Sequence, residues 1–457
     1  MRTALFNWLF ARHHQGTFIL RIEDTDASRT TEEAVVAITD ALGWLGLDWD
    51  EGPIRQSERL ELHREAVARL VADGHAYECF CTADELTERN EAAKGEGRPP
   101  GYDGHCRDLT GSDRAALAAE GRTHVVRFRT LDEGTSTFQD AIRGEVSVEW
   151  HLIRDFVILR ADGTPIFFLA NAVDDIDMGI THVIRGEDLL DSTHRVLALR
   201  AALGGGDPPV YAHLPLIVDI VTRAKLSKRH GVIALEDFRT DGYLPEALRN
   251  YLALQGWAPA GADSGDEVLS ADELVAAFDL DHVTHAAAAF DRKKLDWMNG
   301  EWIRRLPLDD LVARVEPAAQ DRFGDRYEAD TARAAVTLAH ERAVTLNEIV
   351  DSMTFLFVDD AEFAIAPESW EKVVATERVA ELLDATIAHI STCEWDHDAI
   401  DLRPAIDALG MKPRKAMPAL YAAVEGRHQG LPLFESIQLL GRDRALARLR
   451  AARERFD

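Results

Sequence analysis

Cysteine is scarce in this chain, with four among 457 residues. So few thiols exclude a disulfide scaffold, and a reducing, cytoplasmic setting is expected. No apolar run approaches the roughly 20 residues that a membrane-crossing helix needs, so no membrane partner is expected. A secretory leader is not expected either. In the opening Met1–Gly16 the apolar stretch is broken by Asn7, the basic residues follow it, and no small-residue cleavage site is present. Leu5, Phe6, Leu9 and Phe10 are instead expected on one face of an amphipathic helix. Positive charge is in the minority, 51 Lys and Arg against 80 Asp and Glu, for a net charge of −29. That balance excludes indiscriminate nucleic-acid binding but leaves room for a specific site where basic side chains cluster. Internal repeats are lacking too, which excludes a solenoid.

What is there is globular: 46% hydrophobic and 29% charged residues. The length predicts about two to four domains. Residues 17–23 read as a buried strand, and Thr30 with Glu33 has the spacing of a capping box ahead of Val35, Ile38, Leu42 and Leu45 at helical intervals. A further helix is expected over about 57–72. This alternation predicts an α/β unit with parallel pairing. Residues 77–111 are rich in Gly, Pro and charge, and strands are expected at 124–129 and 155–160, which together predict an inserted α+β module. The α/β character returns after about 172. Beyond about 305 the pattern is helical, most clearly at 332–350 and 442–455.

Chemistry concentrates in a few places. Lys225-Leu226-Ser227-Lys228-Arg229-His230-Gly231 follows the apolar run Leu214–Val218. Two lysines three apart in such a loop can neutralise the charge that develops on a polyphosphate under attack, although most basic turns are only solvated. Arg21-Ile22-Glu23-Asp24-Thr25-Asp26 ends the first strand. Carboxylates there sit where α/β folds bind ligands, or else cap the next helix. Cys79-Phe80-Cys81 is followed, 24 residues on, by Cys106-Arg107-Asp108. Thiols flanking a loop can hold a tetrahedral metal, and three unligated thiols are the alternative. Cys393 stands alone and is expected to be inert core.

These motifs, in order, resemble one family. The lysine loop resembles the second signature of class I aminoacyl-tRNA synthetases. Arg21–Asp26, Asp48–Pro53, Gln56–Arg59, Leu169–Asp175, Met178–Asp188, Pro245–Leu252, Phe290-Asp291 and Lys294–Gly300 resemble the bacterial glutamyl-tRNA synthetases along most of the chain. The resemblance implies an α/β class I Rossmann-like catalytic domain with an inserted α+β acceptor-stem module, followed by all-α anticodon-binding domains. The expected divisions are 1–70 and 172–205 (catalytic halves), 71–171 (insert), 206–304 (stem-contact region with the lysine loop) and 305–457 (helical region). It implies an ATP-dependent ligase that uses Mg²⁺, L-glutamate and tRNA(Glu), with tRNA(Gln) left open and a monomer expected.

The resemblance also implies site roles. Glu23 would hold the amino group of glutamate, Arg185 its carboxylate, and Asn171 would orient it. Asp188 and the Ile217 backbone would meet ATP, and Lys225, Ser227 and Lys228 would form the catalytic loop. Phe167 stands where the family often has Tyr, which removes one hydroxyl from the glutamate site. A plain structural reading pairs Arg185 with Asp174, Asp175 or Glu187. Cys79, Cys81, Cys106 and Asp108 would hold a structural zinc, with His105 as the other candidate fourth ligand. Lys412, Arg414 and Lys415 would contact tRNA phosphates, and His340 or Arg342 would take part in anticodon discrimination. The family's first signature precedes its opening helix, so that segment and its strand are expected ahead of Met1, leaving a gap in the parallel sheet with bare strand edges and apolar helix faces. Three rival readings share the motifs: a non-catalytic tRNA-binding paralogue, a glutaminyl-tRNA synthetase, whose mainly β-barrel C-terminal half the helical pattern here disfavours, and the relative that glutamylates a modified base of tRNA(Asp). The last of these lacks a helical region like the one expected here over the last 150 or so residues.

Overall fold

A computed structural model describes residues 1–25, 30–97, 101–223, 235–261 and 267–456. The chain forms two compact units, Met1–Val232 with Arg249–Asp291, and Ile233–Leu248 with Arg292–Asp457.

The first unit is built on parallel strand pairs. Strands β1 (Ile19–Ile22) and β2 (Glu51–Arg55) pair in parallel, joined through the helix Glu32–Trp44. The cap of that helix is Thr31, not the expected Thr30. Thr31 is extended, so its hydroxyl reaches the Ala34 amide at 3.3 Å. Val35, Leu42 and Leu45 are buried as their spacing predicts, whereas Ile38 is exposed. Strands β3 (Ala76–Cys79), β4 (Val125–Phe128) and β7 (Phe156–Leu159) form an antiparallel sheet in the order β3-β4-β7. Strands β5 (Thr135–Asp140), β6 (Gly144–Glu149), β8 (His182–Gly186) and β9 (Val210–Leu214) form a mixed sheet in the order β6-β5-β9-β8. The β8–β9 pair is parallel and spans a second crossover helix, Thr193–Ala202. Short strands β10 (Ile217–Asp219) and β11 (Ala288–Phe290) also pair in parallel.

Among the described residues, β1 and β8 each have a strand neighbour on one side only. A cavity of about 630 Å³ lies along both, lined by Phe18, Ile19, His182 and Ile184 and by Asn7 and Phe10 of the helix Arg2–His13. Asn7 Nδ2 satisfies one edge carbonyl, that of Ile184, at 2.8 Å. The expectation of bare helix faces fails here. Leu5, Phe6 and Leu9 are fully buried, and Phe6 meets Phe278 edge-on at 5.2 Å, because the segment after the helix Ala271–Ala277 covers that face.

The second unit contains only helices among its described residues. Its core gathers Leu311, Val315, Ile349, Leu382, Ile390, Leu420, Ile437 and Leu449. Each such burial contributes about 2 kcal/mol. The single helix expected over 332–350 is two, Ala329–Ala339 and Leu346–Ser352. Thr345 starts the second by capping the Glu348 amide, which ends the helical run between them.

One charge in this core is informative. Glu425, at the end of the helix Pro413–Glu425, is 6% exposed, and its Oε1 has no hydrogen-bond partner. Burial pushes its pKa from the ordinary 4.5 up to about 8. The folded protein therefore binds this proton more tightly than the unfolded chain does, and the helical unit loses stability as pH rises from about 4.5 towards 8. Glu425→Gln should remove that loss, stabilising the unit at pH 7 by on the order of 2–3 kcal/mol. Thermal unfolding at pH 5 and pH 7.5 checks this, since the variant's advantage should appear only at the higher pH.

Candidate active site

The carboxyl ends of β1 and β8 bring the site together, as an α/β sheet does with loops that leave its strands. Just beyond β1 lie Glu23 and Asp24. Asp24 is buried and holds Ser57, accepting from its amide at 2.8 Å and its hydroxyl at 2.7 Å. Glu23 is exposed as a residue, yet protein atoms crowd its carboxyl group. That burial raises its pKa, opposed by the Arg21 charge, a hydrogen bond from Asn171 and the Arg185 charge. Asn171 is buried on the helix Phe167–Asp177, where its Oδ1 accepts from Gln56 Nε2 at 2.9 Å, leaving its amide N–H groups to face Glu23. Phe167 opens the same helix, half-buried and edge-on to Phe168.

Arg185 sits on β8, and the plain structural reading of it fails. Asp174 is taken by Arg59 at 2.9 Å and His63 at 2.8 Å, Asp175 by Arg21 at 2.8 Å, and Glu187 by Arg143. The Arg185 hydrogen bonds run instead to His213 Nε2, Thr193 Oγ1 and the Leu189 carbonyl. Arg185 thus has no ion pair among the described residues. Burial lowers its pKa, while Tyr211, Asp175 and Glu23 favour its charge from a distance. A half-buried guanidinium without a counter-ion is costly unless a ligand supplies the anion.

Asp188 follows β8 and is exposed, and Ile217 opens β10. The Glu187 carboxylate joins these two segments by accepting from the Leu216 amide at 2.9 Å. Lys225, Ser227 and Lys228 lie outside the described residues.

The comparisons with known proteins agree with this geometry. The family described as tRNA synthetases class I (E and Q), catalytic domain, matches residues 1–297, and an anticodon binding domain family matches residues 310–453. The glutamate–tRNA ligase of Streptomyces griseus is 45% identical over 472 aligned positions, which cover 99% of this chain and 92% of that protein. The chain belongs to the class I glutamate–tRNA ligase family. The glutamate–tRNA ligase of Rhodococcus jostii is 46% identical, with 99% and 94% of the two chains covered. A crystal structure of a glutamate tRNA ligase from Elizabethkingia meningosepticum in complex with its amino acid superposes with a TM-score of 0.85 at 28% identity, covering 100% of this chain and 96% of that one.

The Sγ atoms of Cys79, Cys81 and Cys106 lie within 4.8 Å of one another, with Cys81 and Cys106 at 3.5 Å. Asp108, the fourth ligand expected, does not join them. Its carboxylate is exposed and pairs with Arg129 at 3.2 Å. The phenol oxygen of Tyr102 comes in its place, accepting from Cys79 Sγ at 3.5 Å and from the Cys106 amide at 2.8 Å. Burial and the Cys79 sulfur raise the Tyr102 pKa, so the phenol keeps its proton. His105, the alternative, is exposed beside Cys81 and Cys106. In the helical unit, Lys412, Arg414 and Lys415 are all exposed at the start of the helix Pro413–Glu425, whose first turn contains no acidic residue. His340 is committed to the Ile303 carbonyl at 2.9 Å.

Sequence reasoning missed Arg21 and Gln56 as organisers of Asn171 and Asp175, though both lie within motifs it singled out. It also missed His213 and Asp140, which carried no signal: a lone His on an apolar strand reads as core.

Proposed function

We propose that this protein joins L-glutamate to the 3′ end of tRNA(Glu) with ATP. The observation that carries the reading is Arg185, a half-buried cation with no ion pair among the described residues, set beside the Glu23–Asn171 pair. Glu23 suits an ammonium group and Arg185 suits a carboxylate, which together match the two ends of an acidic amino acid. In the first step, the α-carboxylate of glutamate attacks the α-phosphate of ATP. The bond to the leaving pyrophosphate breaks, and glutamyl-adenylate forms. A terminal ribose hydroxyl of tRNA then attacks the acyl carbon and AMP departs. Asp188 and the Ile217 backbone are assigned to ATP, and Lys225, Ser227 and Lys228 to the phosphates, where Mg²⁺ accompanies the nucleotide. The protein's contribution is positioning and charge neutralisation. Because Phe167 offers no hydroxyl, glutamate depends the more on Arg185.

Lys412, Arg414 and Lys415 are assigned to tRNA phosphates. Cations at a helix N-terminus oppose the helix dipole, so their placement is favourable only with an anion nearby. The helical unit and its anticodon-domain match weigh against the short relative that modifies tRNA(Asp). Charging by the full-length protein of separated tRNA(Glu) and tRNA(Gln) with labelled glutamate tests the reading. Charging of tRNA(Glu) is expected; tRNA that binds but stays uncharged would favour the binding-only paralogue.

The three clustered thiols also fit a structural zinc ion. Cys79, Cys81 and Cys106 would hold it as thiolates, with His105, which lines the same pocket as Cys81 and Cys106, better placed than Asp108 to be the fourth ligand. Metal analysis should find about one zinc per chain, lost in Cys106→Ser and retained in Asp108→Ala. Equal loss in both variants would restore Asp108 to the ligand set.

A further inference from the structure

Three adjacent strands carry a line of polar side chains towards Arg185. Asp140 ends β5, His213 lies on β9, and Arg185 lies on β8 directly opposite His213 in the parallel register. Asp140 is buried, and its Oδ1 accepts the amides of Ile142, Arg143 and His213 at 3.0, 2.8 and 3.2 Å. Burial alone would raise this carboxyl, but the hydrogen bonds from His213 and the backbone hold it below its ordinary range. It is therefore a fixed anion that can only accept. Its Oδ2 meets His213 Nδ1 at 2.5 Å, so Nδ1 carries the proton. In the neutral ring Nε2 is then a lone pair, and it receives Arg185 Nε–H at 3.1 Å. Thr193 Oγ1 takes Arg185 Nη2 at 2.7 Å and itself lies 3.2 Å from His213 Nε2. Tyr211 closes the arrangement, its ring parallel to that of His213 and lying under the Arg185 guanidinium at 5.4 Å. Arg185 Nε and Nη2 are thus committed to protein, and Nη1 is left for a ligand.

We propose that the Asp140–His213 pair is the positioning device for Arg185, and that it sets the preference for a carboxylate over a carboxamide. Asp140 fixes the tautomer, and the His213 lone pair fixes the rotation of the guanidinium. A guanidinium held in this way presents only donors to the substrate. The –NH₂ of glutamine finds no acceptor there, whereas a loosely held guanidinium could swing away from it. The inference rests on the reading of Arg185 as the group that takes the substrate's side-chain carboxylate.

Three variants separate the parts. Asp140→Asn can still accept the backbone amides through Oδ1, but its –NH₂ faces His213 Nδ1 and drives the proton to Nε2, where it opposes Arg185. His213→Asn keeps a donor for Asp140 and removes the acceptor for Arg185. His213→Gln carries a carbonyl oxygen to about the Nε2 position and restores that acceptor. Steady-state kinetics of the full-length enzyme should show KM for glutamate raised about tenfold or more in Asp140→Asn and His213→Asn, and within about threefold of wild type in His213→Gln. KM for ATP should move less than about twofold in all three, and the glutamate-over-glutamine ratio of kcat/KM should fall in the first two. Equal losses towards glutamate and ATP, or a His213→Gln variant as impaired as His213→Asn, would overturn the proposal. Should His213→Asn fail to fold, Asp140→Asn against His213→Gln carries the same comparison. Arg185→Ala, measured in parallel, tells the failures apart. If it leaves KM for glutamate unchanged, the reading of Arg185 is wrong. If it raises that KM while Asp140→Asn and His213→Asn do not, only the His213 inference falls.

Discussion

Arg185→Ala should lower kcat/KM for glutamate by about a thousandfold, mostly through KM. Hydrogen bonds to a charged group are worth roughly 1.5–3 kcal/mol each, and a carboxylate on Nη1 loses its bonds and its counter-charge together. Each 1.4 kcal/mol is about a factor of ten, so about 4 kcal/mol gives the stated loss. The protein side adds to it. Truncation leaves His213 Nε2 and Thr193 Oγ1 without the N–H groups they now receive. Arg185→Lys should retain little of the activity, since one ammonium cannot satisfy His213, Thr193, Leu189 and a substrate at once. Initial rates at varied glutamate, with ATP and tRNA saturating, measure this. A KM within about threefold of wild type would remove Arg185 from the substrate site.

The second large effect concerns stability. Asp174 is fully buried and accepts from Arg59 at 2.9 Å, His63 at 2.8 Å and Gln56 at 3.0 Å. It ties the turn Gln56–Arg59 and the helix Leu60–Ala72 to the helix that carries Asn171. Removing one partner from a buried ionic cluster costs about 3–5 kcal/mol, because the remaining groups stay buried and unpaired. Asp174→Ala should therefore lower the Tm of the first unit by several degrees and disturb glutamate binding through Gln56 and Asn171. The sign with pH is also set. Burial alone would raise the Asp174 pKa, but the hydrogen bonds from His63 and Arg59 hold it below its ordinary value of 3.8. Its contribution is then complete above about pH 4 and disappears as pH falls through the depressed pKa. Acid unfolding followed by circular dichroism should show a smaller stability loss below pH 4 in Asp174→Asn than in wild type. Parallel acid profiles would mean that Asp174 is not held as an anion.

Much of the site could be read from the sequence, because local pattern and strand position say where a ligand will lie. Glu23 follows an apolar run at the end of a strand, Arg185 lies near the end of another, and the structure sets Glu23 beside Asn171 with the Arg185 charge within reach. The cysteine spacing likewise located the thiol cluster. Its surroundings were not legible: Asp108 is two residues from Cys106 in sequence, but Arg129 draws it outward while the Tyr102 phenol reaches back to Cys79. The Asp140–His213 contact spans 73 residues and two strands, and nothing along the chain links the two. The break between the helices at 339 and 346 was missed because the hydrophobic spacing runs through it, while a Thr cap decides the new start. Long-range polar contacts and caps are tertiary choices that periodicity does not record.

Glutamate-dependent ATP–pyrophosphate exchange by the full-length protein, with tRNA present and Lys228→Ala as the control, tests the central claim most directly. The account predicts exchange that requires glutamate and falls to background in the control. Tight tRNA binding with no exchange under any amino acid would contradict it, and would make the protein a tRNA-binding relative of the ligases.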